Sequence, residues 1–214
     1  MTDIESDKSW KAYFYPGTDV LINKFNIKDN ERLKEVEATV SFEKLLELNR
    51  EPLNLNFDKN HLKSLHKYIF DDIYPFAGKY RNVNLRKERG SFLFIKEGFS
   101  IDEYLDYIFA ETNKKLLNTH SKHDFSEVLA FLYTQLIYCH PFREGNGRTI
   151  REFIREFSIV KSRSVGLEEM ELNWSLINKD ELNQYLEVAH MFPGATGLLF
   201  NQALVKTDNY NQKK

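Results

Sequence analysis

Residues 140–151 read HPFREGNGRTIR and hold a histidine, a carboxylate, two glycines around an asparagine, and three arginines. Gly145-Asn146-Gly147 can turn successive backbone N–H groups toward one point and form an anion-binding concavity. A helix beginning there adds its own free N–H groups and the positive end of its dipole. Arg148 and Arg151 are three residues apart, so on a helix both guanidinium forks leave one face. That fork geometry suits phosphate oxygens, and two forks beside a glycine-rich helix start suit a polyphosphate. Glu144 would be repelled by phosphates unless Mg²⁺ bridges them. His140, as a neutral imidazole, could take a proton from an incoming hydroxyl. A base, a metal ligand, an anion cradle and a charge clamp are the parts that phosphoryl or nucleotidyl transfer requires.

These residues need elements to hold them. Apolar steps of three and four residues predict a helix over 29–49, with Leu33, Val36, Val40, Leu45, Leu46 and Leu48. A second is predicted over 58–73, capped by Asp58, with Leu62, Leu65, Ile69 and Ile73 as its stripe. Residues 79–95, KYRNVNLRKERGSFLFI, read instead as a β-hairpin with Gly90 near the turn. Helix returns over 101–117, with Tyr104, Leu105, Ile108, Phe109 and Leu116 buried. Asp124-Phe125-Ser126-Glu127 resembles a capping box that opens an almost wholly apolar helix ending at His140-Pro141. Further helices are predicted from about 146, over 180–190 and over 194–204. The fold class is mainly α, a helical bundle core with one hairpin. A single domain is expected over 13–200, between tails at 1–12 and 201–214.

Bulk properties narrow the function. The 214 residues are 42% hydrophobic and 29% charged, a globular balance. A net charge of −2 gives no global field that would draw in nucleic acid. Cys139 stands alone, so no internal disulfide forms, which fits a reducing compartment. No apolar run approaches the length of a membrane span, and the first residues lack the apolar stretch of a signal peptide. The expected location is the cytoplasm, or a second cell reached by dedicated export. His61 and His66 are five residues apart, not on one helical face, and read as core or surface rather than zinc ligands. His120 and His123 read as solvated.

The stretch from His140 to Arg151 resembles the Fic-family signature H-P-F-x-[D/E]-G-N-G-R-x-x-R at every defined position. Tyr15-Pro16-Gly17-Thr18, Asn23-Lys24-Phe25, residues 61–70 and residues 74–81 resemble further parts of the family, so the likeness covers roughly 13–200. It implies a Fic fold whose hairpin is a flap, and an enzyme that transfers AMP from ATP to a Ser, Thr or Tyr hydroxyl of a target protein with release of pyrophosphate. His140 would be the catalytic base and Phe142 a core anchor. Glu144 would hold Mg²⁺. Gly145, Asn146, Gly147, Arg148 and Arg151 would bind the nucleotide phosphates. Lys87, Phe92 and Phe94 would line the target-binding flap, where a target strand adds to the hairpin edge. Lys87, Glu88 and Gln184 are candidate nucleotide contacts, with Asn183 and Tyr185 beside the last. Transfer of UMP, phosphate or phosphocholine remains an alternative, though Gly147 stands where the phosphate-transferring branch carries lysine. A non-catalytic phosphate-binding module is another. Many members restrain the second motif arginine with a glutamate from an [S/T]-x-x-x-E-[G/N] helix. Residues 39–43 have that spacing, but Lys44 follows where Gly or Asn is required. A separate small antitoxin acting through Arg151 is therefore expected.

Overall fold

The computed structural model describes residues 8–53, 56–83, 100–188 and 195–207. Most of the expected hairpin, including Gly90 and the flap residues, lies outside them. The chain divides into two compact units, Met1–Lys87 with His140–Thr149, and Glu88–Cys139 with Ile150–Lys214.

In the first unit, α1 (Asn30–Arg50) starts at Asp29, whose side chain accepts from the Arg32 N–H. Its buried positions are Leu33, Ser41 and Leu48. The expected stripe is thus partly displaced, with Leu46 exposed and a serine taking a core position. α2 (Lys59–Phe70) starts at Asp58, which accepts from Asn60 and His61 N–H. It stops short of the expected 73, and turns follow from Asp71 to Gly78. Its buried face includes His61 and His66 beside Leu62, Leu65, Ile69 and Phe70. α1 packs on α2. The preceding segment is tied down by Asn23, whose side chain bonds Leu21 and Ile27, and by Lys24 N–H donating to the Ile73 carbonyl at 2.8 Å.

In the second unit, α3 (Ile101–Leu116) opens with a reciprocal capping box between Ser100 and Glu103. α4 (Lys122–Cys139) begins earlier than expected. Ser121, not Asp124, sits at its cap, with Oγ accepting from Asp124 N–H at 3.1 Å, and Asp124 in turn accepts from His120. α4 packs against α3 and α7 (Ala195–Ala203). α5 (Asn146–Ser164) begins in the first unit and continues into the second. A two-stranded antiparallel sheet pairs β1 (Met170–Leu172) with β2 (Leu204–Lys206). Between them lie a 3-10 turn (Trp174–Leu176) and α6 (Lys179–Val188). β2 falls within the stretch expected as a tail. Three-residue strands are too short to carry an alternating pattern, so periodicity could not announce them.

Two serines join β1 to α5. Ser158 Oγ accepts from Leu172 N–H at 2.9 Å and Ser162 Oγ from Met170 N–H at 3.0 Å, and both hydroxyls donate back to their own helix. Ser158→Ala leaves the buried Leu172 N–H without its acceptor and should lower the unfolding free energy by about 1–2 kcal/mol. Ser164→Ala, exposed on the same helix, should stay within about 0.5 kcal/mol. Chemical denaturation of both variants checks the difference.

Candidate active site

The site is built around the six residues between α4 and α5. The chain leaves α4 at Cys139, and His140 takes a φ of 44° before Pro141. Gly145 has φ 78°, and a Cβ there would lie 2.4 Å from two ring carbons of Phe70. Glycine is therefore required both by conformation and by space. α5 begins at the next residue, so the N–H groups of Asn146, Gly147 and Arg148 have no acceptor within their own helix. They form the positive end that the sequence leads one to expect.

The loop is held from beneath. Asn146 is buried, and its side-chain amide closes on Phe142 from both sides. Phe142 N–H donates to Oδ1 at 2.9 Å, and Nδ2 donates to the Phe142 carbonyl at 2.8 Å. Its side chain thus braces the loop. Phe142 is fully buried and stacks on the His66 ring, with centroids 3.8 Å apart at 14°. His66 Nδ1 accepts from Gly78 N–H at 2.8 Å, which leaves the proton on Nε2 to donate to the Glu144 carbonyl at 3.0 Å. Burial, followed by the Arg148 charge, drives the His66 pKa down to about 4 despite that bond, so the ring stays neutral. Thr149 adds a hydroxyl bond to the Gly145 carbonyl at 3.1 Å. On the outer side, the Arg143 guanidinium lies over the rings of Trp10, Phe14 and Tyr13 at 4.5, 5.1 and 5.6 Å. Trp10 belongs to the stretch expected as a tail.

Arg148 is anchored on three sides. It bonds the Glu37 carboxylate, donates to Ser41 Oγ at 2.9 Å, and lies 4.8 Å above the Phe70 ring. The Tyr74 hydroxyl donates to the other oxygen of Glu37. Burial, and then the Glu37 charge, raise the Tyr74 pKa far above its ordinary value, so it remains a donor. A guanidinium carries five N–H donors, and those not used on Glu37 and Ser41 remain for an anion. Sequence reading missed Glu37, Ser41 and His66. A signal was present, since Glu37 and Ser41 fall four and eight residues after Leu33 on its face of α1. Two polar residues on a buried stripe require partners.

The Glu144 side chain is 43% exposed, and Oε1 accepts from Gly145 N–H at 2.9 Å. Among the described residues, no group of three or more His, Cys, Asp or Glu could enclose a metal. One exposed carboxylate beside an anion cradle fits Mg²⁺, which keeps waters and takes most of its remaining ligands from phosphates.

Arg151 lies in the second unit, exposed on α5, with its carbonyl accepting from Trp174 Nε1 at 3.0 Å. Among the described residues no carboxylate pairs with its guanidinium. Glu43, in the partial inhibitory pattern, is exposed, and the internal glutamate that does meet the motif is Glu37, on Arg148. Asn183 and Gln184 are exposed on α6, and Tyr185 donates to Glu181 at 3.3 Å. Lys87, Glu88, Phe92 and Phe94 lie outside the described residues.

A glycine-turned loop at a helix start, with a histidine adjoining it, is the arrangement that the signature at residues 140–151 leads one to expect. The Fic/DOC family profile matches residues 56–158. The chain is 34% identical over 143 residues to y4lH of Sinorhizobium fredii, described as a probable protein adenylyltransferase, covering 65% of this chain and 71% of that protein. It is 32% identical over 173 residues to the protein adenylyltransferase VbhT of Bartonella schoenbuchensis, covering 80% of this chain. There the chain spans about a third of the relative's length, 34%. The fold matches the crystal structure of BepC, a VirB-translocated effector of Bartonella tribocorum with bound AMPPNP. That match has a TM-score of 0.72 and 25% identity, over 92% of this chain and 98% of that one. The chain belongs to the Fic/DOC family.

Two measurements probe the braces. In the unfolded chain His66 protonates near its ordinary 6.5, and in the folded chain only near 4. Between those values the unfolded state binds the extra proton, so stability falls as pH drops from 6.5 toward 4. His66→Gln should flatten that part of the stability–pH curve. Glu37→Ala strips a largely buried cation of its carboxylate and should lower the unfolding free energy by about 2 kcal/mol. Thermal or denaturant unfolding reads it, with Glu43→Ala on the exposed side of α1 as the neutral control.

Proposed function

We propose that this chain is a protein adenylyltransferase that moves AMP from ATP to a serine, threonine or tyrosine hydroxyl of a target protein and releases pyrophosphate. The observation that carries this reading is the loop itself. In it His140 directly precedes a helix-start loop whose first N–H groups have no acceptor within the helix, with a half-exposed Glu144 among them and Arg148 held by Glu37 and Ser41. Family membership and a structural relative with bound AMPPNP support a nucleoside triphosphate as the donor.

The division of labour follows from the chemistry of each group. The N–H groups of residues 146–148 and the free donors of Arg148 hold phosphate oxygens, and Arg151 extends the clamp along α5. Glu144 would hold Mg²⁺, which offsets phosphate charge when bound. His140 accepts the target hydroxyl's proton as that oxygen attacks the α-phosphorus. A P–O bond to the target forms, the bond from the α-phosphorus to the bridging oxygen breaks, and pyrophosphate leaves with the electron pair. The flap residues Lys87, Phe92 and Phe94 would hold the target's backbone at a strand edge, which makes the target an extended segment. Gln184 and Glu88 would contact the nucleotide.

A small antitoxin chain would restrain the reaction through Arg151. Its exposure, and the lack of a carboxylate partner among the described residues, support an inhibitor from outside; the internal Glu37 engages the other motif arginine. Among the described residues no helix is long and apolar enough to cross a membrane. We infer action in the cytoplasm, or in a second cell after export of the kind named for the BepC relative.

The test is label transfer to proteins of a cell lysate from ATP carrying ³²P at the α- or the γ-position, with Mg²⁺. Label from the α-position alone is expected. Label from the γ-position would replace this reading with phosphate transfer, and none from either with a binding module. His140→Ala should lower transfer by ~10²- to 10⁴-fold while ATP binding persists. Glu144→Ala should also weaken Mg²⁺-dependent binding, measured by calorimetry.

A further inference from the structure

We propose that Arg81 is the positioning residue for His140, fixing the backbone from which the imidazole is aimed. This rests on the reading of His140 as the general base. His140 has a φ of 44°, which places a residue with a side chain in the left-handed region. Such a conformation is unfavourable for a residue with a Cβ and persists only where the surroundings over-determine it. Pro141 follows and narrows the choices of His140 further.

What holds this turn is Arg81. It is 6% exposed. Its Nε donates to the His140 carbonyl at 2.8 Å, and its backbone N–H donates to the Pro141 carbonyl at 2.9 Å. Its Nη1 donates to the Val83 carbonyl at 2.7 Å, which pins the guanidinium to its own stretch of backbone. One residue thus grips two successive carbonyls of the loop, at the turn where the backbone is least favourable. Charge-assisted bonds are short and strong, and a planar fork transmits direction as well as attraction. A lysine supplies a point charge with no fork, so it cannot reach the His140 and Val83 carbonyls in the same geometry. His66, Asn146 and Thr149 brace the later part of the loop, from Phe142 to Gly145. Arg81 braces its first two residues. Arg81 is buried beneath the loop, so its effect passes through His140. Misplacement of a base by about 1 Å costs on the order of 10² in rate, while phosphate binding depends on the other end of the loop.

The experiment uses the full chain with Arg81→Lys and Arg81→Ala. Label transfer from α-³²P ATP should fall by about 10²-fold in kcat, with the Kd for ATP within about threefold of wild type. Guanidinium ion at millimolar concentration should restore part of the activity of Arg81→Ala and none of Arg81→Lys, whose side chain fills the space. An independent readout needs no transfer. In ¹H–¹³C NMR, the His140 ring signals, assigned by their loss in His140→Ala, should shift in Arg81→Lys while those of His66 stay in place. If wild type transfers no label, the proposed function fails and the NMR comparison alone decides the role of Arg81. Unchanged His140 signals with unchanged kcat in Arg81→Lys would overturn the assignment. So would a parallel loss of ATP affinity and kcat, or failure of both variants to unfold cooperatively, because each marks a merely structural arginine.

Discussion

His66 donates its Nε2 proton to the Glu144 carbonyl while its other nitrogen accepts from Gly78 and its face lies on Phe142. The loop between α4 and α5 is braced by that one ring. Six residues between two helices cannot satisfy their own backbone, and an anion site requires that several N–H groups stay unsatisfied and face outward. The carbonyls must then be bonded from the inner side, by groups that bring no competing charge. A neutral imidazole does this. Burial keeps it neutral, and both nitrogens are fully used. Asn146 performs the same task for Phe142 with an uncharged amide.

The charged groups are arranged on the opposite principle. The chain as a whole carries a net charge of −2, so attraction for phosphate has to be local. Under the proposed function Arg148 would supply it, with a guanidinium already held by Glu37, Ser41 and Phe70. A cation already ordered loses little side-chain freedom when an anion arrives. The partial neutralisation by Glu37 also keeps a largely buried arginine compatible with a stable fold. Arg151 is exposed and belongs to the second unit, so the two motif arginines differ in environment although they are one helical turn apart. Arg148 is held in place by its neighbours, whereas Arg151 is exposed on α5.

Much of this was legible from residue types. A helix start followed where cap and periodicity agreed, as at Asp58. It shifted where a competing cap existed, as at Ser121 in place of Asp124. The small sheet went unseen because three residues cannot show alternation. His66 was read as core or surface from its five-residue spacing to His61, and it is in the core. Nothing in its neighbours along the chain told of Glu144, 78 positions away. Glu37 and Ser41 could have been suspected from their place on a buried stripe, but their partner could not have been named.

The sequence by itself determined the chemistry of residues 140–151. Backbone demands of glycine and proline, a helix start, the imidazole of His140 and the charges of Glu144 and Arg148 are local properties, carried by adjacent residues wherever the segment is placed. Tertiary structure alone decided what makes those groups usable. His66 and Gly78 beneath the loop, Glu37 and Tyr74 behind Arg148, and Arg81 at the carbonyl of His140 all come from distant parts of the chain. Hydrogen bonds and burial act through a few ångströms of space irrespective of separation in sequence, so only the folded chain could choose these partners.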